Sequence, residues 1–482
     1  MPQPDTIELP PRYYRDNFLR LCDTVEQQYS DILSAAERVF LDTMRALPDA
    51  QQCLYVRLVS RAGPLFRQSK LAYDEIGPIA PAMDGLVAQG FVGEVQALSA
   101  PEAARLFTLA ELRGAFGQCI SDASGMNKSQ LLAALTELEV DGSALRARLL
   151  GTDGGRIVAP LQQDVVDTLQ LLFFGNRYQD LREFVLEDLG VVRYYPYPLE
   201  RQQRLFANRE ALEEYLACAV LADRYRELLE EVDHDDLAGE LARLAGEVRD
   251  TATVHRSSRR RYDRLCNSLA RDLERVQQCD LALQLYERST RHPARERRAR
   301  ILEQGQGYEA ARALCHDILR DPWCEAEQEA AQRILQRVER KLGSAPTARK
   351  RDEFATIALR LQPGEGSVEQ QAAAALCVDW QTVRYVENSL MNALFGLAFW
   401  EQIFAPVPGA FTHAYQSAPL DMYEPEFRTQ RSGELAQRMA TLQRADLAAL
   451  LTSAYDRYFP CQCRWVNWRY IDRELVQTAC SI

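Results

Sequence analysis

Apolar residues recur at intervals of three and four along almost the whole of this chain, a period that commits it to a mainly α fold. In YYRDNFLRLCDTVEQQYSDILSAAERVFLDTMRAL, residues 13–47, Phe18, Leu21, Val25, Tyr29, Ile32, Leu33, Ala36 and Phe40 form one continuous amphipathic stripe, ended by Pro48 and Asp49. Strand signals are few. The stretch 53–92, containing LYVRLVSRAGPLFRQSKLAYDEIG and then MDGLVAQGFV, reads as helix, turn, helix, helix, the order of a winged-helix-like module. FTLAELRGAFGQCISDASGMNKSQLLAALTEL, residues 107–138, predicts two short helices joined by a polar loop. Thr108 caps the first, and Lys128 and Ser129 open the second. The layout resembles the SAP helix-extended-loop-helix module, and a generic helical hairpin fits the segment equally well.

At 482 residues the chain has room for roughly three or four domains. No apolar run reaches the ~18 residues of a membrane span, and MPQPDTIELPPRYYRDNF lacks the basic and apolar regions of a signal peptide. Twelve cysteines are scattered through predicted helices, which suits a reducing cytosol. Cys461-Gln-Cys463 does not have zinc-site spacing and is expected to be a pair of ordinary buried thiols. GTDGGRIVAP, residues 151–160, matches no phosphate-binding glycine pattern and is read as a loop and the best internal boundary. YYPYPLE at 194–200 and LGSAPTARKRDE at 342–353 are further punctuation. Between these two, Ala282-x3-Tyr286 is followed by Pro293, and Ala311-x3-Cys315 by Pro322. This approximates the tail of the tetratricopeptide (TPR) hairpin.

A net charge of −12 argues against nucleic acid until its distribution is considered. Residues 201–250 hold seven Arg against thirteen Asp and Glu, whereas residues 251–300 hold thirteen Arg against six. Within HRSSRRRYDRLCNSLARDLERV, residues 255–276, the arginines Arg256, Arg259, Arg260, Arg261 and Arg264 surround Tyr262. Arg260 and Arg264 share a helical face. Guanidinium groups fixed on a helix can grip phosphate bidentately while an aromatic stacks on a base. The alternative is an arginine face paired with acidic helices such as EEVDHDDLAGE at 230–240. No nucleophile motif is present: there is no G-x-S-x-G and no H-E-x-x-H.

VRYVENSLMNALFGLAFWEQIF, residues 383–404, carries an unusual acid. Val383, Glu387, Leu390, Met391, Leu394 and Ala398 fall on one predicted helical face, which would bury Glu387 among apolar neighbours. An unpaired charge there costs several kcal/mol or is neutralised by a raised pKa.

Taken in order, YYRDNF at 13–18, LYVRLVSRAGPLFRQSKLAYDEI at 54–76, the SAP-like hairpin, FFGNRYQDLREFVLEDLG at 173–190, RRRYDRL at 259–265, ENSLMNALFGLAFWEQIF at 387–404 and PVPGAFTHAYQSAPLDMYEPEF at 406–427 resemble the bacterial Fanconi-associated nuclease family. The resemblance implies a structure-selective DNA-repair nuclease with phosphodiesterase I activity. Its expected substrates are 5′ flaps and interstrand cross-links, and its cofactor Mg²⁺ or Mn²⁺ in a VRR-NUC domain of the PD-(D/E)xK type. It implies that Glu387 is a metal-binding and catalytic carboxylate. Arg260 falls in the family's basic pocket for a 5′ phosphate, with Arg264 beside it and Arg261 and Arg256 as further DNA-binding candidates. Lys70 and Lys128 lie in segments that the family sets along duplex DNA.

The implied architecture is an N-terminal helical, winged-helix-like region (1–100), a SAP-like hairpin (101–150), a helical connector (151–200), a TPR-like helical domain (201–342) and an incomplete VRR-NUC domain (343–482). The sequence departs from the family where G-x-P-D and E-V-K should follow the glutamate helix. Since metal-assisted hydrolysis needs a cation held by several oxygens, the expectation is a chain that binds branched or flapped DNA in the bacterial cytosol, near the nucleoid, without cutting it. The competing expectation is a non-enzymatic, TPR-like scaffold for protein partners.

Overall fold

The computed structural model describes residues 10–481 except 62, 121–122, 138–139, 152–154, 178, 180, 182–183, 185–191, 231–235, 345–355, 362–365, 379 and 381–382. Much of the 173–190 motif and most of the 342–353 punctuation therefore lie outside the described residues. The chain divides into two compact units, Met1–Leu205 with Glu387–Ile482, and Phe206–Val386. None of its helices is long and apolar enough to cross a membrane, among the described residues.

In the first unit the predicted stripe of residues 13–47 is two helices, α1 (Tyr13–Tyr29) and α2 (Ala35–Ala46). The break is built by a capping box. Glu37 donates its backbone N–H to the Ser34 hydroxyl at 3.2 Å, and Ser34 donates its own N–H to the Glu37 carboxylate at 2.8 Å. Each removes an orphan donor at the helix start. Phe18, Leu21, Val25, Tyr29, Ile32, Leu33 and Phe40 stay buried across the break, whereas Ala36 is turned to solvent.

After α3 (Asp49–Val59) come β1 (Phe66–Arg67), α4 (Ile79–Ala88) and β2 (Val92–Glu94). These strands flank β3 (Ile157–Pro160) in an antiparallel sheet of order β1-β3-β2, with Phe66 opposite Val158 and Val92 opposite Pro160. The strands correct the all-helical reading of this region. They also correct the reading of 151–160 as a loop: Ile157 and Val158 are fully buried. Four residues are too short to show a period of two, and the glycines before them read as punctuation. The helices with this small sheet form the winged-helix arrangement that the turn pattern anticipated.

Four helices, α5 (Ala100–Leu106), α6 (Leu109–Phe116), α7 (Lys128–Glu137) and α8 (Gly142–Gly151), enclose a separate core of Phe107, Leu112, Phe116, Leu131, Leu135, Leu145 and Leu149. Thr108 caps α6, as its T-x-x-E pattern predicts. Asn127 and Gln130 cap α7 reciprocally, each backbone N–H reaching the other's side chain at 2.9 Å. Helix α9 (Gln163–Phe174) follows.

Tyr195 and Tyr197 of YYPYPLE are not mere punctuation. They pack into the core of the last ninety residues, where the Tyr197 ring stacks on Phe411 at 4.0 Å and its hydroxyl donates to the His413 carbonyl at 2.7 Å. Cys461 and Cys463 are buried and unbridged, as expected of structural thiols.

The second unit is helical: α10 (Arg209–Glu230), α11 (Leu237–Asp250), α12 (Arg256–Arg275), α13 (Cys279–Arg288), α14 (Ala294–Gln304), α15 (Tyr308–Arg320) and α16 (Glu325–Lys341). From α12 onward each helix packs on the next. Ala282 and Tyr286 in α13, and Ala311 and Cys315 in α15, occupy equivalent buried positions, so the weak repeat in the sequence marks successive hairpins of a TPR-like array.

Candidate nucleic-acid interface

Helix α12 carries the basic cluster. Its start has no side-chain cap of its own; instead Glu214 of α10 accepts from the backbone N–H groups of Val254 and His255 at 2.9 and 3.0 Å. One face, with Tyr262, Leu265, Cys266, Leu269, Ala270 and Leu273, is buried in the core shared with α11 and α13. The Tyr262 hydroxyl donates to the Val248 carbonyl at 3.0 Å. Burial of such side chains, at about 1.5–3 kcal/mol each, fixes which way the remaining positions point.

The five arginines then separate into two groups. Arg259 forms an ion pair with the buried Asp263 at 3.0 Å and donates to the Arg288 carbonyl. Arg261 lies over the Tyr215 ring, 5.0 Å from its centroid. Both contacts help to hold α12 in place. Arg256, Arg260 and Arg264 follow one another at four-residue steps, so they form a line along one helical face. Arg256 and Arg264 are exposed and Arg260 is half-buried.

Cations at a helix N-terminus oppose the helix dipole, at about 0.3–1 kcal/mol each. An anion relieves that repulsion, and phosphate is the anion whose geometry guanidinium matches. In the acidic stretch before α12, Glu240 pairs with Arg243 within α11 and Asp236 caps that helix. Those two acids serve their own helix.

The other nominated residues lie in the first unit. Lys70 is exposed at the end of a short 3-10 turn, Gln68–Lys70, after β1; Lys128 is exposed at the first position of α7. Glu387 is exposed in a turn, which corrects its predicted place on the apolar face of a helix. The helix begins only at Leu390, because Asn388 adopts a left-handed backbone with φ 55°, a conformation that asparagine tolerates better than most residues. The turn shifts the helical phase. Ala393, Leu397, Trp400 and Ile403 are buried; of the predicted face Ala398 is buried and Leu390 and Leu394 pack partly against the core, whereas Met391 is 75% exposed.

Asp421 is unavailable as a substitute ligand, since Arg431 holds its two oxygens at 2.7 and 3.2 Å with both side chains buried. Among the described residues no group of three or more His, Cys, Asp and Glu could hold a metal ion.

Two side chains near α12 escaped the sequence reading. Asn267 of α12 donates to the Arg291 and His292 carbonyls at 3.4 and 3.3 Å, and the Arg291 guanidinium lies 5.4 Å from the centroid of Trp323. The available signal is Trp323 directly after Pro322, a position at which the repeat pattern uses only the proline.

Residues 12–93 match a family model described as "FAN1, HTH domain". The chain is 33% identical over 478 residues to the Fanconi-associated nuclease 1 homolog of Pseudomonas aeruginosa, spanning 97% of this chain and 82% of that protein. It is 24% identical to the Arabidopsis thaliana homolog, spanning 98% of this chain and 59% of the relative. Among solved structures it superposes on paFAN1 bound to 5′-flap DNA with a 2-nucleotide flap and a gap, at TM-score 0.85 and 31% identity, covering 98% of this chain and 85% of the other.

Proposed function

This chain belongs to the Fanconi-associated nuclease 1 family, whose members are structure-selective DNA-repair nucleases, and we propose that it recognises 5′-flap DNA through the arginine line of α12. The observation that carries this reading is the alignment of Arg256, Arg260 and Arg264 at four-residue steps on one face of α12, with Arg256 and Arg264 exposed. The 5′ phosphate is assigned to Arg260, with Arg264 beside it. Lys70 of the winged-helix region and Lys128 of the SAP-like hairpin are assigned to the duplex backbone. Interstrand cross-link repair in the bacterial cytosol is the process this binding serves. Similarity over 97% of the chain argues against a protein-interaction scaffold with no DNA role.

Nucleases of this family are metal-dependent; we assign Mg²⁺ or Mn²⁺ as the ion and Glu387 as one ligand. One exposed carboxylate does not fit a resident divalent cation, which needs several oxygens before it can activate water. Since no group of three or more metal-binding side chains stands among the described residues, the proposal is that they bind flap DNA without cutting it, and that cleavage requires further carboxylates beside Glu387. Incubation of the purified chain with 5′-flap DNA and Mn²⁺ should leave the substrate intact. Robust cleavage that disappears in Glu387→Ala would contradict this.

A further inference from the structure

We propose that Trp323, backed by Arg291, is a stacking shelf for an unpaired nucleobase of the flap strand, beside the arginine line of α12. The inference deepens the flap-binding reading and rests on it. It starts from a residue in an unexpected place. Trp323 belongs to neither apolar core of its unit, and its half-buried indole sits at the start of α16 with no hydrogen bond to its ring N–H among the described residues.

The shelf is rigid. The Trp323 backbone N–H donates to Glu327 at 2.7 Å, and Glu327 is wholly buried and gripped by Arg295 at 3.1 and 2.6 Å. Arg295 also donates to the Asp321 carbonyl at 2.9 Å, closing the turn that presents the indole. An aromatic already held in place loses little conformational freedom when a base stacks on it. Arg291 covers the ring at 5.4 Å, adding a cation and a second planar surface.

The shelf is also tied to the basic helix. Thr290 donates to Asp263 at 2.7 Å and Asn267 grips the 291 and 292 carbonyls. The loop that carries Arg291 is therefore fastened on both sides of Arg264. A positively charged track with a fixed aromatic beside it is the arrangement that binds single-stranded nucleic acid without sequence preference.

The test compares, in metal-free buffer, 5′-flap DNA whose first flap nucleotide is normal or abasic, by fluorescence anisotropy with the full chain. Wild type should bind the normal flap roughly 5- to 100-fold more tightly. Trp323→Ala should lose that preference while keeping its affinity for the abasic flap, and Trp323→Phe should retain most of it. Wild-type binding that is indifferent to the missing base would overturn the shelf and leave the flap-binding reading intact. No flap binding by wild type at low salt would overturn both. A folded Trp323→Ala that keeps the wild-type preference would also overturn the shelf; should it fail to fold, Trp323→Leu, which fills the site without an aromatic face, takes its place with the same expected loss.

Discussion

Arg259 and Asp263 lie one turn apart on the basic helix with their charged atoms 3.0 Å from each other, the carboxylate buried and the guanidinium partly exposed. The Asp263 carboxylate also accepts from Thr290, so one buried acid anchors both an arginine and the loop that leads to Arg291. Asp263→Ala should destabilise the protein by about 1–3 kcal/mol, the cost of losing the Thr290 hydrogen bond and the ion pair with Arg259, the latter discounted because Arg259 retains access to water. Chemical denaturation reads this directly, and an unchanged midpoint would show that Asp263 anchors nothing.

Arg261 and Arg260 are sequence neighbours to which the proposal gives different tasks. Arg261→Ala removes a cation from the Tyr215 ring and should cost about 0.5–1 kcal/mol of stability, with little change in flap affinity. The opposite pattern, full stability with lost binding, would move Arg261 into the DNA-contacting set.

The buried Asp421 and Arg431 pair predicts a larger effect. Asp421→Ala strands a guanidinium that water does not reach, and breaking such a pair costs about 3–5 kcal/mol. Replacing both residues together with apolar ones should recover much of the loss. A double variant no more stable than the single one would contradict the pairing account.

His413 is fully buried, and burial pushes its pKa down from the usual 6.5 to about 3. Its ring stacks on Phe173 at 5.3 Å and accepts the Tyr415 N–H at 3.1 Å through Nδ1. Because the folded state keeps this histidine neutral, its contribution is complete above pH about 6.5 and declines as pH falls toward 3, by up to about 1.4 kcal/mol per unit. His413→Asn keeps an acceptor for Tyr415 and removes the titration. Melting temperatures of this variant should fall less steeply with pH than those of wild type.

Local chemistry was legible in the sequence, and long-range pairing was not. Thr108 announced a helix start, and the four-residue step from Arg260 to Arg264 announced a face, because both depend on residues within two turns. Glu387 was misplaced by one neighbour: Asn388 enters the left-handed region and resets the helical phase, which no apolar count detects. The strands Phe66–Arg67 and Ile157–Pro160 find each other across the whole of residues 68–156, and each is too short to display a clear alternation. Tyr197 and Asp421 likewise acquire their roles from partners that only the fold supplies. Trp323 belongs to this second group, since its guanidinium neighbour comes from a different turn.

The central claim is that the Arg256–Arg260–Arg264 line binds the flap end, and an anisotropy titration across salt tests it most directly. Wild type should bind 5′-phosphorylated flap DNA with affinity falling steeply as salt rises. Arg260→Ala should lower that slope by roughly one and abolish the preference for phosphate over hydroxyl at the 5′ end. An Arg260→Ala protein that keeps both the slope and the phosphate preference of wild type would contradict the claim.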